Sequence, residues 1–578
     1  MAKEKLKKAT APGLTSMLKP YRSMIILLIV FSLLSNGIAL ILPKIIASGI
    51  DSYPDHFELK KILIEFGAAT FVVFIFTYLQ SIVQTNTAER VARDLRSQLS
   101  EKISIQSYMA VEKANPSKLL TNLTGDVDSV KQFVAQAIVQ ISSSVIIIIG
   151  ACFLLFSINW RLALAVVAII PIIGFVFYGF TKKVGPIFMK RAGVVDRLNK
   201  VINESILGSA LIRVLHSPKL EYEKFLAASE ASKTLSMGVL KLFSWLIPII
   251  ILTASFANIT ILLLGGRFVI NDTMTLGDFS AFSAYLALLI FPIILIGFMS
   301  TVIAQSTASW KRIYEVLSLP PVPDEGIITE AVQGHVRLHE VSVIYGEKSV
   351  LKNVSFEVEK GSSLAIIGPT AAGKSQLLFL LSGLIKAETG SVEYDGRPIS
   401  AYNKEGFYKY VGFVFQDSIL FNMSIRENIA FSDIVTDESL KKAIETAELK
   451  EFIDSLPEKL NTIVSERGTS LSGGQKQRIM LARALAVNPK ILLLDDFTAR
   501  VDTQTERNIL ENVRRNYPGI TLISVTQKIA SAATFDKVIL LMEGELIASG
   551  KHEELMMTSP EYVLIEQSQH STHELQSQ

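Results

Sequence analysis

Two adjacent aspartates carry the clearest chemical signal in this sequence. In the stretch ILLLDDFTARVD, four apolar residues run into Asp495 and Asp496. A buried strand that ends in carboxylates can deliver acid groups to a site that holds phosphate and a metal ion. Asp495, at the end of the strand, is placed to organise a metal through water, and Asp496 stands where a general base would act.

A glycine-rich loop further upstream is the phosphate-binding partner that such acids require. The stretch SLAIIGPTAAGKSQLLFLL has the order strand, loop and helix, and its spacing fits G-x-x-x-x-G-K-[ST]. Backbone N–H groups of such a loop surround phosphate oxygens, while Lys374 neutralises charge and Ser375 can bind Mg²⁺. We therefore predict a nucleotide site formed by Gly368, Pro369, Thr370, Ala371, Ala372, Gly373, Lys374, Ser375 and Gln376.

A third motif, LSGGQKQR at 471–478, precedes the aspartates. Its Ser-Gly-Gly begins a predicted helix and offers backbone donors to phosphate. The loop and this motif together resemble the nucleotide-binding domain of the ABC ATPases, which implies ATP and Mg²⁺ as ligands. The resemblance assigns Tyr345 to adenine stacking, Asp502 to the D-loop, SERG at 465–468 to contact with cytoplasmic helices, Ser375, Gln416 and Asp495 to Mg²⁺, and Ser472, Gly473, Gly474 and Gln475 to the signature motif.

Four residues depart from the pattern of this family, and all lie on the chain's own nucleotide site. Asp496 replaces the usual glutamate and withdraws the carboxylate by roughly 1 Å, a displacement that can cost on the order of 100-fold in rate. Gln527 replaces the switch histidine. Glutamine can form hydrogen bonds, but it cannot take up a proton and become positively charged. Ala371 replaces a common glycine, and Gln376 replaces a second hydroxyl residue. The four departures predict a weak nucleotide site on this chain. Because LSGGQ is intact, we expect it to complete an active site on a second chain.

The first half of the chain has the composition of a membrane protein. Hydrophobic residues make up 49% of the sequence and charged residues 19%, while the net charge of +3 gives no indication of a nucleic-acid partner. Six runs before residue 310 are long enough to cross a bilayer core of about 30 Å at 1.5 Å per residue. They are predicted at 24–43, 62–84, 136–157, 161–180, 243–266 and 279–304.

Two long charged segments, after the second and the fourth run, have helical periodicity. Together with the basic N-terminus they predict cytoplasmic termini and membrane helices that extend into the cytoplasm. We expect these helices to reverse near 116–126 and 203–213. The stretches ANPSKLLTNLTGDVDSV and INESILGSALIRV resemble the coupling-helix regions of ABC exporters.

The whole chain therefore resembles an ABC exporter half-transporter. The expected fold is an α-helical membrane bundle at 1–316, a linker at 317–334 and an α/β P-loop ATPase domain at 335–578. In such proteins two chains enclose two ATP molecules between the P-loop of one and the LSGGQ of the other. The departures favour a heterodimer in which this chain is the subunit with the degenerate site, as in bacterial multidrug exporters.

The aromatic residues of the spans suggest the class of cargo. A cavity lined by them would suit hydrophobic or amphipathic compounds, drugs or lipids, although packing is the commoner role of such residues. The residues concerned are Phe71, Phe74, Phe76, Tyr78, Tyr285, Phe291 and Phe298. The sequence does not separate drug export from lipid flipping.

Three other readings stay open at this point. A homodimeric lipid flippase or weakly hydrolysing exporter would use two copies of this chain. A membrane regulator or channel gated by ATP would use the degenerate site as a sensor. A soluble ABC ATPase of the DNA-repair type is disfavoured by the six apolar runs. We expect a multi-pass protein of a plasma membrane, in contact with membrane lipids and of bacterial origin.

Overall fold

The computed structural model describes residues 12–53, 58–320, 326–345, 348–465, 468 and 470–576. The chain forms two compact units, and each is described by itself. The first contains Met1–Ile105 and Ala114–Pro320, and the second contains Gln106–Lys113 and Pro321–Gln578.

The first unit is helical throughout its described length. The helices shorter than ten residues are α1 (Leu14–Met17), α6 (Pro116–Thr121), α7 (Val127–Gln132), α9 (Trp160–Val167), α11 (Ser209–Val214) and α13 (Gly266–Ile270). The longer ones are α2 (Arg22–Ala39), α3 (Leu42–Asp51), α4 (Leu59–Ser104), α8 (Ile138–Ile158), α10 (Ile169–Leu207), α12 (Pro218–Thr260) and α14 (Leu276–Leu317). A 3₁₀ turn lies at Lys19–Tyr21, and π-helical turns lie at Asn122–Asp126, Phe133–Ala137 and Ile261–Gly265.

Five helical stretches among the described residues are long and apolar enough to cross a membrane. They are Lys19–Asp51, Leu59–Ser104, Pro116–Ile158, Pro218–Ile270 and Leu276–Leu317, and they contain five of the six predicted runs. The remaining run, 161–180, falls on α9 and on the start of α10, where several side chains are not described. Its role as a span stays a prediction.

The predicted position of the first reversal, 116–126, is wrong. Helix α4 ends at Ser104, and α6 begins at Pro116, so the chain turns between them. Asn115 has φ +66° and its side chain accepts a hydrogen bond from the Ser117 N–H, while Pro116 occupies the first helical position. Asn-Pro here starts a helix, because proline lacks only an N–H that would be unpaired at that position. The stretch ANPSKLLTNLTGDVDSV is therefore helical from Pro116 onward, after the turn at Asn115.

The second reversal lies close to its predicted position. Helix α10 ends at Leu207, α11 follows, and α12 begins at Pro218. His216, just before α12, has φ +49°, which is typical of a residue that ends a helix. The expected segment 203–213 covers the end of α10 and most of α11.

Several predicted cavity residues are packed rather than open to a cavity. Tyr285 is 1% exposed, and its hydroxyl donates a hydrogen bond to the Leu40 carbonyl at 2.9 Å. The Phe298 ring stacks on Phe243 at 5.7 Å and meets Phe177 edge-on at 6.0 Å. Phe71, Phe74, Tyr78 and Phe291 are each at least 59% exposed in the single chain.

The second unit contains two sheets. The four-stranded antiparallel sheet has the order β2 (Lys348–Val358), β1 (Val336–Tyr345), β4 (Thr389–Tyr394), β5 (Arg397–Pro398). The six-stranded sheet has the order β10 (Glu545–Gly550), β9 (Lys537–Met542), β3 (Ser363–Ile367), β8 (Thr521–Val525), β7 (Ile491–Asp495), β6 (Val411–Val414). All pairs in the larger sheet are parallel except β10 with β9. Strands β3, β7 and β8 are buried at every position, as their continuous apolar sequences predict.

Helices surround the larger sheet. They are α15 (Lys374–Leu381), α16 (Lys404–Tyr408), α17 (Ile425–Ile429), α18 (Asp437–Thr446), α19 (Lys450–Asp454), α20 (Gly473–Ala486), α21 (Thr503–Asn516), α22 (Ile529–Ala532), α23 (His552–Thr558) and α24 (Pro560–Gln576). Short 3₁₀ turns lie at Ile399–Ala401 and Lys459–Asn461.

Helix α5 (Tyr108–Ala114) begins in a segment that belongs to this second unit. The Tyr108 ring lies 5.4 Å from the Phe379 ring on α15, and Met109 packs against the core that includes Leu377. The aromatic ring of Tyr108 and the side chain of Met109 thus attach the 106–113 segment to the second unit, before the stretch that resembles a coupling-helix region.

Candidate nucleotide site

The chemical residues meet because their strands are neighbours. Strand β3 leads into the glycine-rich loop, β7 ends at Asp495, and β8 ends two residues before Gln527. The order β3–β8–β7 brings the carboxyl ends of these parallel strands to one edge, where ligands of open α/β sheets bind. A cleft of about 360 Å³ lies there, lined by Val350, Thr370, Ala371, Ala372, Gly373, Lys374, Ser375, Gln376, Gln416, Asp495, Asp496, Val525 and Gln527.

The loop backbone is fixed by positions that need glycine. A Cβ on Gly368 would lie 2.0 Å from the Leu541 carbonyl oxygen, and one on Gly373 would lie 2.8 Å from that of Val350. Ala371 adopts φ +67°, a left-handed conformation that costs an alanine about 1–2 kcal/mol. The departure from glycine at this position is therefore a strained one.

Lys374 is the cation of the cleft. It is 9% exposed, and its Nζ donates to the carbonyl oxygens of Gly368 at 2.7 Å and Pro369 at 2.8 Å. Burial lowers the pKa of Lys374, whereas Asp496 and Asp495 raise it. These contacts hold the ammonium inside the loop, where it can neutralise the charge of a phosphate.

Asp495 and Ser375 form an oxygen pair suited to a hard cation. The Ser375 hydroxyl donates to Asp495 Oδ1 at 3.1 Å, and Asp495 is 2% exposed. Burial raises the pKa of Asp495 to about 6, and the neighbouring Asp496 adds to the rise, while Ser375 and Lys374 oppose it. A buried carboxylate of this kind gains from a bound cation, because the cation offsets the loss of water.

Asp496 and Gln527, two of the four departures from the family pattern, bind each other in the cleft. Gln527 Nε2 donates to Asp496 Oδ2 at 2.9 Å. Burial raises the pKa of Asp496, while the bond from Gln527 and the charges of Lys374 and Lys528 lower it. Asp496 has φ +47°, a conformation that aspartate adopts more readily than most residues.

The signature motif forms the start of α20, apart from the cleft. Ser472 caps the helix in a capping box with Gln475: its hydroxyl accepts from the Gln475 N–H at 3.2 Å, and Gln475 Oε1 accepts from the Ser472 N–H at 2.9 Å. A Cβ on Gly473 would lie 2.9 Å from Arg500 Cδ, and one on Gly474 would lie 2.9 Å from the Arg500 carbonyl oxygen. Gly474 is therefore needed for the close approach of the Arg500 backbone, whereas the flexible Arg500 side chain could move away from a Cβ on Gly473.

One contact joins the signature helix to the cleft. Gln477, 1% exposed, donates from Nε2 to the Gln416 carbonyl oxygen at 3.0 Å. The backbone of the cleft residue Gln416 is thus fixed by α20.

Two predicted site residues lie elsewhere. Tyr345, at the end of β1, does not line the described cleft; burial raises the pKa of its hydroxyl, and the carboxylate of Glu112 in the 106–113 segment adds to the rise. Asp502 caps α21 by accepting from the Thr505 N–H at 2.9 Å, which lowers the pKa of Asp502. Glu466 and Arg467 of SERG are outside the described residues. Val350 and Val525 line the cleft without having been predicted, since apolar residues carry no chemical signal in the sequence.

Comparisons with known proteins agree with this arrangement. Residues 25–293 match the model of the ABC transporter transmembrane region, and residues 351–499 match that of the ABC transporter family. YfiB of Bacillus subtilis (strain 168), described as an uncharacterized ABC transporter ATP-binding protein, is 30% identical over 96% of this chain and 98% of its own length. The chain belongs to the ABC transporters.

Two further relatives and one solved structure are similar over nearly the whole transporter. MdlA of Buchnera aphidicola, a multidrug resistance-like ATP-binding protein, is 30% identical over 93% of this chain and 94% of its own. The ATP-dependent lipid A-core flippase of Desulfotalea psychrophila is 29% identical over 88% and 90%. A bacterial Atm1-family ABC exporter, solved with ATP bound, has TM-score 0.80 at 24% identity and covers 95% of this chain and 98% of its own.

The expected fold and enzyme class are confirmed. The ABC transporter is a multi-pass membrane protein in which a helical membrane domain precedes an α/β ATPase domain on one chain. One transmembrane region and one ABC ATPase domain on a single chain are the arrangement of a half-transporter.

Proposed function

We propose that this half-transporter exports hydrophobic or amphipathic compounds as the degenerate-site subunit of a heterodimer. Its own P-loop binds ATP and hydrolyses it slowly. Its LSGGQ completes a faster site on the P-loop of a second chain. The pairing of Asp496 with Gln527 at 2.9 Å is the observation that carries this proposal.

The paired side chains weaken the group that would activate water. A general base must accept a proton from the attacking water, and the bond from Gln527 to Asp496 Oδ2 opposes this because it stabilises the unprotonated carboxylate. Gln527 offers an amide in place of an imidazole and so brings no charge to the γ-phosphate. Both changes weaken hydrolysis while leaving the phosphate-binding loop in place.

Binding of ATP needs only the groups that remain. The loop N–H groups and Lys374 would hold the phosphates, and the side chains of Ser375, Gln416 and Asp495 would hold Mg²⁺. All three offer the oxygen donors that this ion prefers, and Asp495 is a buried carboxylate with one hydroxyl partner, Ser375. Mg²⁺, when bound, neutralises charge on the phosphate oxygens. The site is therefore suited to holding nucleotide.

The signature motif keeps the features that a phosphate partner requires. Ser472 starts α20 with a complete capping box, and Gly473 and Gly474 keep the backbone open at its N-terminus. Asp502 begins α21 beside it. A second chain would face these groups with its own P-loop, as two half-transporters do in this family.

The cargo is proposed from the relatives and from composition. A multidrug resistance-like protein and a lipid A-core flippase are both close to 30% identical to this chain. Both descriptions suit amphipathic cargo in contact with membrane lipids, and the described spans expose large apolar side chains, among them Phe71, Phe74 and Tyr78. We place the transporter in a bacterial plasma membrane with cytoplasmic termini.

A homodimer is the second candidate. One observation favours it: this chain carries both a P-loop and an intact LSGGQ, so two copies could form two complete sites. Hydrolysis would then be slow at both sites, because both would contain Asp496 and Gln527.

The experiment compares the purified chain with the chain co-purified with a second ABC half-transporter from the same genome. We expect the isolated chain to bind ATP and turn it over slowly, and the pair to turn it over at least tenfold faster. A Lys374→Ala variant supplies the background for binding at this P-loop. Rapid turnover by the isolated chain would refute the degenerate site and favour the homodimer.

A further inference from the structure

A side chain on the C-terminal helix holds the segment that carries Gln527. Gln569, on α24, donates from Nε2 to the Gln527 carbonyl oxygen at 2.6 Å. Its Oε1 accepts from the Ile529 N–H at 3.0 Å. One amide thus binds the chain on both sides of Lys528 and closes a ring around that residue.

The position of Gln569 on α24 is set by an inward-facing stripe. Tyr562 is fully buried, and its hydroxyl lies 2.8 Å from His552 Nδ1. Ile565 packs against the core of the domain. Residues spaced by three and then four lie on one face of a helix, so Gln569 continues the face formed by Tyr562 and Ile565. An amide on this otherwise apolar face is explained by its two bonds to the segment after β8.

The same segment is held from two other directions. The Thr526 N–H donates to the Ile366 carbonyl oxygen of β3 at 3.1 Å. The Lys528 ammonium pairs with Glu506 of α21 at 3.0 Å, and Glu506 is 3% exposed. Neither contact fixes the carbonyl of Gln527 or the N–H of Ile529, which depend on Gln569.

We propose that Gln569 is a positioning residue for the ATPase site, which fixes the backbone of Gln527 so that its amide reaches Asp496. The C-terminal helix thereby sets the geometry of the switch position from outside the cleft. This role rests on the proposed function of Asp496 and Gln527 in ATP hydrolysis. The two hydrogen bonds of Gln569 do not depend on that proposal.

The experiment uses two variants that remove different parts of the contact. Gln569→Met has a similar shape and removes both hydrogen bonds. Gln569→Glu keeps an acceptor for the Ile529 N–H but loses the donor to the Gln527 carbonyl oxygen. Leu564 lies on the same helix and is 65% exposed, so Leu564→Met is the matched control.

Hydrogen exchange of the full-length chain measures the contact directly. In Gln569→Met we expect the Ile529 amide to exchange roughly tenfold faster, the change that loss of one hydrogen bond of ordinary strength gives. Gln569→Glu should retain protection of Ile529, and Leu564→Met should match the wild type. Unchanged exchange in Gln569→Met would overturn the contact, whichever dimer the transporter forms.

Steady-state kinetics test the positioning role. If a second chain is the partner, its own P-loop lysine is replaced so that only this chain's site contributes turnover. We expect both Gln569 variants to raise kcat roughly 3- to 10-fold, because loss of this anchor loosens the bond from Gln527 that weakens Asp496 as a base. The KM for ATP should stay within twofold, because the phosphate loop is untouched. Faster exchange with unchanged kcat would make Gln569 merely structural and overturn the proposal. A KM for ATP that rises by the same factor as kcat would also overturn the proposal.

Discussion

The contact between Asp496 and Gln527 makes the double variant Asp496→Glu, Gln527→His the sharpest test of the degenerate site. Glutamate extends the carboxylate by roughly 1 Å, and a displacement of that size is worth on the order of 100-fold in rate, or about 2.7 kcal/mol. Histidine supplies a donor that can carry charge to the γ-phosphate. We expect the double variant to raise turnover at this chain's own site by about 100-fold.

The two substitutions should not act independently. Gln527 Nε2 lies 2.9 Å from Asp496 Oδ2, and residues in direct contact have coupling energies of about 0.5–3 kcal/mol. A longer carboxylate alone would meet the Gln527 amide, and a histidine alone would face a carboxylate that is too short. Each single variant should therefore gain less than about tenfold, which is less than half of the combined effect in free energy.

Single-turnover hydrolysis measures the effect, with this chain paired to a second chain whose P-loop lysine is replaced. The same four proteins, wild type, two single variants and the double variant, are assayed as this chain alone. Asp454→Glu, an exposed change of the same chemistry, is the control. No gain in either assembly would refute the assignment of Asp496 and Gln527, and strictly additive gains would refute their coupling.

Three further predictions concern single side chains. Ala371→Gly should relieve the strain at φ +67° and, after the added entropy of unfolded glycine, raise the free energy of unfolding by about 0.5 kcal/mol in denaturant titration; a loss of stability would contradict the strain. Asp495 has a pKa raised to about 6, so the folded state binds its proton more tightly than the unfolded state, and this contribution to stability is lost as pH rises from about 4 through 6. Asp495→Asn should therefore raise the melting temperature at pH 7.5 without nucleotide and flatten that pH dependence, while weakening Mg²⁺-dependent ATP binding; an unchanged pH profile would contradict it. Tyr285→Phe removes the 2.9 Å bond to Leu40 and should cost about 1 kcal/mol, measured as a lower melting temperature in detergent, with no change in cargo-stimulated ATPase.

The nucleotide site was predictable from the sequence where motif spacing fixes the backbone. The glycine-rich loop, the paired aspartates and Gln527 follow three strands that are adjacent in the sheet, so their short connections bring them to one cleft. The five described spans were equally predictable, because bilayer thickness fixes the length of an apolar run.

Contacts between distant parts of the chain were not predictable. Tyr345 ends β1, yet Glu112, whose charge raises the pKa of its hydroxyl, lies more than two hundred residues earlier, and no local pattern joins the two residues. The reversal before Pro116 was placed too late because Asn-Pro starts a helix as readily as it makes a turn. Gln569 was missed because a glutamine near a chain end has no distinguishing spacing. The aromatic residue Tyr285 was ambiguous, since core packing and cavity lining use the same side chains.

The bond from Gln477 to the Gln416 carbonyl has a consequence for communication between the two nucleotides of a dimer. Gln416 lines the cleft of one nucleotide, while Gln477 lies one turn into the helix whose N-terminus would face the other. Displacing Gln416 must therefore carry α20 with it or break a bond that is shielded from water. By reciprocity of linkage, any effect of the P-loop occupant on affinity at the signature face is matched by an equal effect of the signature-face occupant on affinity at the P-loop. Slow hydrolysis, as proposed for this chain, would leave this connection between its nucleotide and its signature helix intact.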